Sequence, residues 1–330
     1  MTLFYKWRMR ASRILPTAVL ALLALCMAPA SAQTFPSKPI RIIFPFAPGG
    51  GGDFIARFIA QHLAESLGQA VYVDNRPGAG GMTGTDLGVR SDPDGYTLVL
   101  ISNSYTVNPS VYNIKFDPIE DVTPIALIDE GPLLIVANPK FPAKTTQALI
   151  DQAKAAPDSI TFSSGGVGSV VHFAAELFSN MAGIKMLHIP YKSTGLAVND
   201  VIGGEVDLSF SSTASSLQSV KNGMLNAIAV TGNTRLAALP DVPTVQESGL
   251  PGYNTILWHG LIGPKDMPKP IVDRLNKEIN KILQMPETAK HLESQGVEPS
   301  WGSPDDFRDL IKKEVTTWKK VAHDANVKLN

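Results

Sequence analysis

The sequence predicts an α/β fold in two lobes, each a mostly parallel sheet flanked by helices, with a ligand cleft between them. Three observations carry this expectation. Short β-rich runs alternate with helical patterns from Ile40 to Ser102, and the same alternation restarts at Leu133 and runs to Asn222. The last third then becomes helical after the breakers Pro240, Pro243, Pro251 and Gly252. Alternation of this kind implies parallel strands wrapped by helices, and two separate series imply two such units.

In the first series the strands are IRIIF, AVYVDN and YTLVLIS, with helical patterns over 53–67 and 82–89. In the second, LLIVAN, SITFSS, MLHIPY and VDLSF alternate with helical stretches at 145–155, 169–181, 195–202 and 215–222. After TILWHGLIGP, the residues Ile271, Leu275, Ile279 and Leu283 recur every fourth position, one apolar face of a helix. Ser303, Pro304 and Asp306 then form a helix entry, with a capping hydroxyl, proline at the first position and an acid at the positive end. Phe307, Ile311, Val315 and Trp318 line one side of that helix. A terminal helical pair packs on an existing sheet, so the chain returns to the first lobe, and two crossings make a hinge. The expected division is a leader over 1–32, one lobe from 33–134 plus 251–330, and a second from 135–250.

The leader is read from its three parts. Lys6, Arg8, Arg10 and Arg13 stand without an acid before an apolar run, and APASAQ follows. This is the layout of a secretory signal peptide, cleaved after Ala32. Cys26, the single cysteine, falls inside it, so the mature chain has no thiol for disulfides, iron–sulfur clusters or nucleophilic chemistry. Loss of the four leader cations leaves 25 Lys and Arg against 30 Asp and Glu. No basic stripe is present, and nucleic acid is excluded as a partner.

Most catalytic readings fail on spacing. APGGGGDF lacks the Gly-Lys-Ser/Thr ending of a nucleotide-binding loop, and RPGAGGMTG has Thr83 where a dinucleotide fingerprint needs its third glycine. GGVGSVVH is not the Gly-x-Ser-x-Gly elbow of hydrolases. The six histidines, at 62, 172, 188, 259, 291 and 323, form no i, i+4 pair, so no zinc helix exists and neither metal nor cofactor is expected.

A repeated geometry remains. Polar or glycine-rich turns follow a strand and precede a helix at 48–53, 75–81, 102–104, 163–169, 191–194 and 211–215. In parallel sheets such turns lie at the carboxyl ends of strands, where ligands bind. Backbone donors, helix N-termini and hydroxyls there can hold an anion without arginine. Individual residues keep two readings at this point. Asp53 is a helix-start acid or a ligand contact, His172 lines the cleft or packs, Lys192 attracts a carboxylate or is solvated, and Trp258 and His259 mark the hinge or the core.

From FPSKPIRIIFPFAPGGGGDF through NPSVYNIKFDPIEDVTPIAL, GVGSVVHFAAELF, HIPYKSTGLAVNDVIGGEVDLSF and RLAALPDVPTVQESGLPGY to WGSPDDF, the mature chain resembles the solute-binding receptors of tripartite tricarboxylate transporters, the Bug family. The resemblance implies a periplasmic binding protein of the type II kind that is not an enzyme. It would capture a small organic carboxylate by lobe closure and deliver it to membrane permease subunits, with a sensor kinase as another partner and the receptor itself monomeric. It places the ligand set at Ala47, Pro48, Gly49, Gly50, Gly51, Gly52 and Asp53, at Gly80 and Gly81, and at Ser102 and Ser104. From the other lobe come Gly168, Ser169, His172 and Tyr191, and the polar turns themselves add Ser164, Ser193, Ser212 and Thr213. Two departures stand out: Gly52 replaces the hydroxyl residue that relatives carry before the acid, and Ser211-Ser212-Thr213 stands where they often read Asp-Asn. An exported hydrolase or isomerase using His172 and a nearby serine, and an exported sensor module, are the competing readings.

Overall fold

The computed structural model describes residues 35–110 and 112–324, with side chains to residue 320. The leader and its cleavage position lie outside the described residues. From Lys38 onward the described chain forms one compact unit.

The first series folds as expected. β1 (Ile40–Phe44), β2 (Val71–Asn75) and β3 (Thr97–Ser102) are parallel, with β1 central and fully apolar apart from Arg41. Between them lie α1 (Gly51–Leu67), α2 (Met82–Val89) and, after β3, the short α3 (Ser104–Val107). α1 buries Ile55, Ile59 and Leu63, spaced by four, and stops at Gly68 in the left-handed conformation.

β4 (Val122–Ala137) is far longer than the predicted LLIVAN strand. Its first part pairs antiparallel with β9 (Ile256–Pro264), and its last five residues pair antiparallel with β7 (Leu208–Ser212). β9 in turn pairs antiparallel with β3. β5 (Thr161–Ser164) lies parallel to both β7 and β6 (Leu187–Pro190), while β8 (Asn226–Val230) and the short β10 (Glu298–Pro299) also pair with β4. The spatial order β2-β1-β3-β9-β4-β7-β5-β6 is therefore one curled, mixed sheet in which β4 belongs to both halves.

Helices cover the second half as α4 (Thr146–Ala155), α5 (Val170–Ala182), α6 (Thr194–Gly203) and α7 (Thr213–Lys221). The C-terminal helices are α8 (Lys269–Leu283), α9 (Pro286–Ser294) and α10 (Pro304–Asp324). Both α8 and α10 pack on β4, which returns the chain to the first half of the sheet. At the head of α10, Ser303 Oγ accepts from Asp306 N–H while the Asp306 carboxylate accepts from Ser303, a reciprocal cap.

Each half has its own apolar core. Ile43, Val99, Ile101, Trp258, Phe307 and Ile311 fill the first. Leu133, Ile135, Phe162, Phe178, Phe210 and Tyr253 fill the second. Trp258 meets Phe307 edge to face, with 5.5 Å between centroids and 89° between planes, worth about 0.5–1.5 kcal/mol beyond burial.

Candidate functional site

α1, α5, α6 and α7 all begin on one cavity, facing each other from the two halves of the molecule. Its volume is about 40 Å³, and its walls include Gly50 and Gly52 at the head of α1, Ser169 and Val170 at α5, Ser193 and Thr194 at α6, and Ser212 before α7. Ser102, at the end of β3, and Ser104, at the start of α3, complete the polar lining, and Phe44, Phe46 and Leu257 supply an apolar one. Each helix start presents N–H groups and the positive end of its dipole, so the convergence favours a negatively charged guest. No Lys, Arg, Asp or Glu is among these lining residues.

The halves touch through main chain and hydroxyls. Ala47 N–H donates to Lys192 C=O at 2.9 Å, Gly51 N–H to Ser215 Oγ at 2.8 Å, and Val170 N–H to Ser104 Oγ at 2.9 Å. Tyr112 O–H donates to Val167 C=O at 2.8 Å. The glycines of the first loop make room for this packing, Gly51 against the facing half and Gly52 against Phe44 and His259 of its own half. A Cβ on Gly51 would lie 2.7 Å from Ala214 Cβ, and one on Gly52 would lie 2.6 Å from the Phe44 ring and 2.8 Å from His259 Nε2. Typical small-molecule pockets are about 300 Å³ or more. The 40 Å³ space is small beside these.

The structure thus brings Gly50, Gly52, Ser102, Ser104, Ser169, Ser193 and Ser212 together around the cavity. Gly80, Gly81 and Tyr191 line an adjoining space of about 230 Å³, separated from the first by Phe46 and Gly165, which border both. The Tyr191 hydroxyl is engaged elsewhere, donating to Asp200 at 2.5 Å.

The remaining expected residues hold the loops in shape. Pro48 and Gly49 are exposed, and Ala47 is buried under the main-chain bridge. Asp53 is 5% exposed and accepts from Gly49 N–H, Asn75 and Arg57. Burial pushes its carboxyl up, but the hydrogen bonds from Arg57, Asn75 and Gly49 outweigh this and hold it below the usual range. Thr213 Oγ1 donates to Gly296 C=O. Gly168 N–H donates to His172 Nδ1 at 3.3 Å, which turns that imidazole beneath the 164–169 loop. There it stacks on His188, whose Nε2 lies 2.6 Å from Ser164 Oγ. Burial first, and His172 second, push His188 down to about 3, so that ring is neutral at ordinary pH.

Sequence reasoning left His259 undecided between hinge and core, and the structure puts it in the cavity wall. It sits on β9 between Ser102 of β3 and Asp129 of β4, its register partners on either side. Its Nδ1 is 2.8 Å from Asp129 Oδ1, and both side chains are buried. The signal for it in the sequence was a lone polar residue inside the apolar TILWHGLIGP. Thr194, Phe44 and Phe46 were also missed, because strand ends and helix starts contribute lining by direction, which spacing does not specify.

Two α/β halves that share a strand and border one cavity at helix N-termini have the architecture of a solute-binding protein. Comparison with known proteins agrees. The model of the tripartite tricarboxylate transporter family receptor matches residues 55–327, and the chain belongs to that family. Protein BugT of Bordetella pertussis strain Tohama I is 38% identical over 305 residues, covering 92% of this chain and 94% of BugT. The structure of the periplasmic binding protein BugD superposes with a TM-score of 0.86 at 34% identity, covering 89% of this chain and 99% of BugD. Rpa4515 of R. palustris, determined with adipate, superposes with a TM-score of 0.86 at 31% identity, covering 89% and 99%. The family is one of periplasmic solute-binding receptors and is not enzymatic.

Proposed function

We propose that this chain is exported by its leader, cleaved after Ala32, and works in the periplasm as a monomeric receptor. It captures a small organic carboxylate by closing residues 135–250 onto residues 33–134 and 251–330. It then presents the closed, loaded form to the permease subunits of a tripartite transporter. The observation that carries this reading is the meeting of four helix N-termini, three faced with serine hydroxyls, on a cavity without acidic side chains. Closure follows from differential affinity: a guest that touches both halves stabilises the closed form over the open one.

The adjoining space beside Gly80, Gly81 and Lys192 extends the cleft in one direction. A linear dicarboxylate would reach both spaces, one end at the four helix starts and the other at the glycine turn, if Phe46 turns aside between them. Adipate in Rpa4515 is a ligand of that shape. The test is native mass spectrometry of freshly purified protein, followed by a melting screen of organic acids. A ligand that binds only the native state at a hundred times its Kd adds about 2.7 kcal/mol of stability. Stabilisation by neutral metabolites alone, with none from any carboxylate, would overturn the reading.

A further inference from the structure

Asp129 and His259 form a buried acid–imidazole pair at the inner end of the cavity. Asp129 is 1% exposed and His259 5%. A single oxygen, Asp129 Oδ1, accepts from His259 Nδ1 at 2.8 Å and from the His259 main-chain N–H at 2.9 Å. The other oxygen, Oδ2, is buried with no hydrogen-bond partner among the described residues. With the neutral imidazole donating through Nδ1–H, the pair carries one buried negative charge, which is costly and is made worse by a second carboxylate nearby. His259 is the group placed to accept a compensating proton.

The hydrogen bond at Nδ1 fixes the ring, so Nε2 is the atom left for the cavity. Gly52 makes room for it: a Cβ at that position would sit 2.8 Å from Nε2. His259 is the one titratable residue among those lining the cavity. The charged groups on neighbouring elements are occupied. Asp53 on α1 is paired with Arg57. Glu130 of β4 and Glu298 of β10 line a separate groove. On α5, His172 is held by Gly168 and lies 3.5 Å from Glu176. β3 contributes the uncharged Ser102.

Resting on the carboxylate reading above, we propose that the receptor binds its acid together with a proton. As the ligand carboxylate enters, the Asp129–His259 pair takes up one proton from solvent, and Nε2–H of the imidazolium donates to a carboxylate oxygen. The carboxylate is not chemically changed. The carboxylate group at His259, the imidazolium and Asp129 then carry one net negative charge in place of two, which makes deep burial tolerable. The cation that composition and motif had hidden is thus a histidine supplied by the returning strand.

The experiment is calorimetric titration of the full mature protein with succinate, adipate, citrate and benzoate, in buffers of different ionisation enthalpy, from about pH 6.5 to 8.5 where these acids are ionised. We expect at least one acid to bind with net proton uptake approaching one at the alkaline end, and with Kd weakening up to tenfold per pH unit there. In His259→Gln, which keeps a donor but cannot titrate, binding is weaker and both the uptake and the pH slope disappear. In Asp129→Asn, the uptake moves to lower pH. Should either variant fail to fold, the ¹⁵N shifts of His259 in the wild-type protein, with and without the acid, report the proton directly. An acid that binds with no proton uptake and an unchanged His259 signal overturns this inference and leaves the receptor reading standing. Failure of every acid to bind at any pH overturns both.

Discussion

The ring of His172 lies flat on the ring of His188, with 3.8 Å between centroids and 11° between planes, and Phe162 closes the stack on the His188 side. Two imidazoles this close cannot both carry charge without repulsion. The pair supports the 164–169 loop through the Gly168 and Ser164 hydrogen bonds, so its protonation state bears on the cavity wall.

The first prediction concerns acid stability. In the unfolded chain a histidine ring takes up a proton near pH 6.5, whereas folded His188 does so only at about 3. Its contribution is therefore fully present above pH 6.5 and is lost as pH falls between these two values. Urea unfolding at stepped pH should show stability declining through this window by up to about 1.4 kcal/mol per pH unit, reduced by the partial solvation of the ring. His188→Phe keeps a stacking ring and should flatten that part of the profile.

Gly51→Ala should separate closure from folding. The new methyl group would lie 2.7 Å from Ala214 Cβ in the facing half, so on the proposed closing motion it opposes the closed form, and overpacking of this kind costs about 1–3 kcal/mol. Ligand affinity should drop roughly tenfold to a hundredfold, while the ligand-free melting temperature changes little. Small-angle scattering that finds the variant still closing fully on ligand would contradict the expectation.

Ser215→Ala removes the oxygen that accepts from Gly51 N–H and that also bonds Thr194 and Ser212 hydroxyls at 3.0 and 2.8 Å. A lost buried hydrogen bond costs about 1 kcal/mol net. Since the bond joins the two halves, the proposed closure predicts that calorimetry will register its loss as weaker ligand binding, with faster release by stopped-flow.

Phe307→Ala is a core change. The ring packs over Gly260, where any side chain would collide with it, and against Trp258. Chemical denaturation should record a loss of about 3–5 kcal/mol, with ligand affinity of the folded fraction unchanged because the ring is outside the cavity.

What the chain disclosed by itself was its periodic part. IRIIF, YTLVLIS and VDLSF are short apolar runs beside turn residues, and α8 and α10 repeat their apolar faces at helical spacing, so local pattern sufficed for them. β4 was under-read because Pro124, Asp129, Glu130 and Pro132 interrupt it. Its strand identity comes from pairing with β9, more than a hundred residues away, and two register irregularities accommodate the interruptions. The glycine and serine turns were legible because helix starts have recognisable chemistry. His259 was not, since its role depends on Asp129 across a sheet, and His172 stayed open between lining and packing because its partner His188 lies on another strand.

The sharing of β4 between both halves has a consequence for how this molecule can be divided. Residues 122–132 find their partner in β9, and residues 133–137 in β7. A cut near Pro132 would leave each fragment with a raw, unpaired sheet border, prone to sticking to copies of itself. Neither piece is then a free-standing module. Co-expressed, however, the two fragments carry matching borders, and reassembly in trans becomes a direct readout of the strand that joins them.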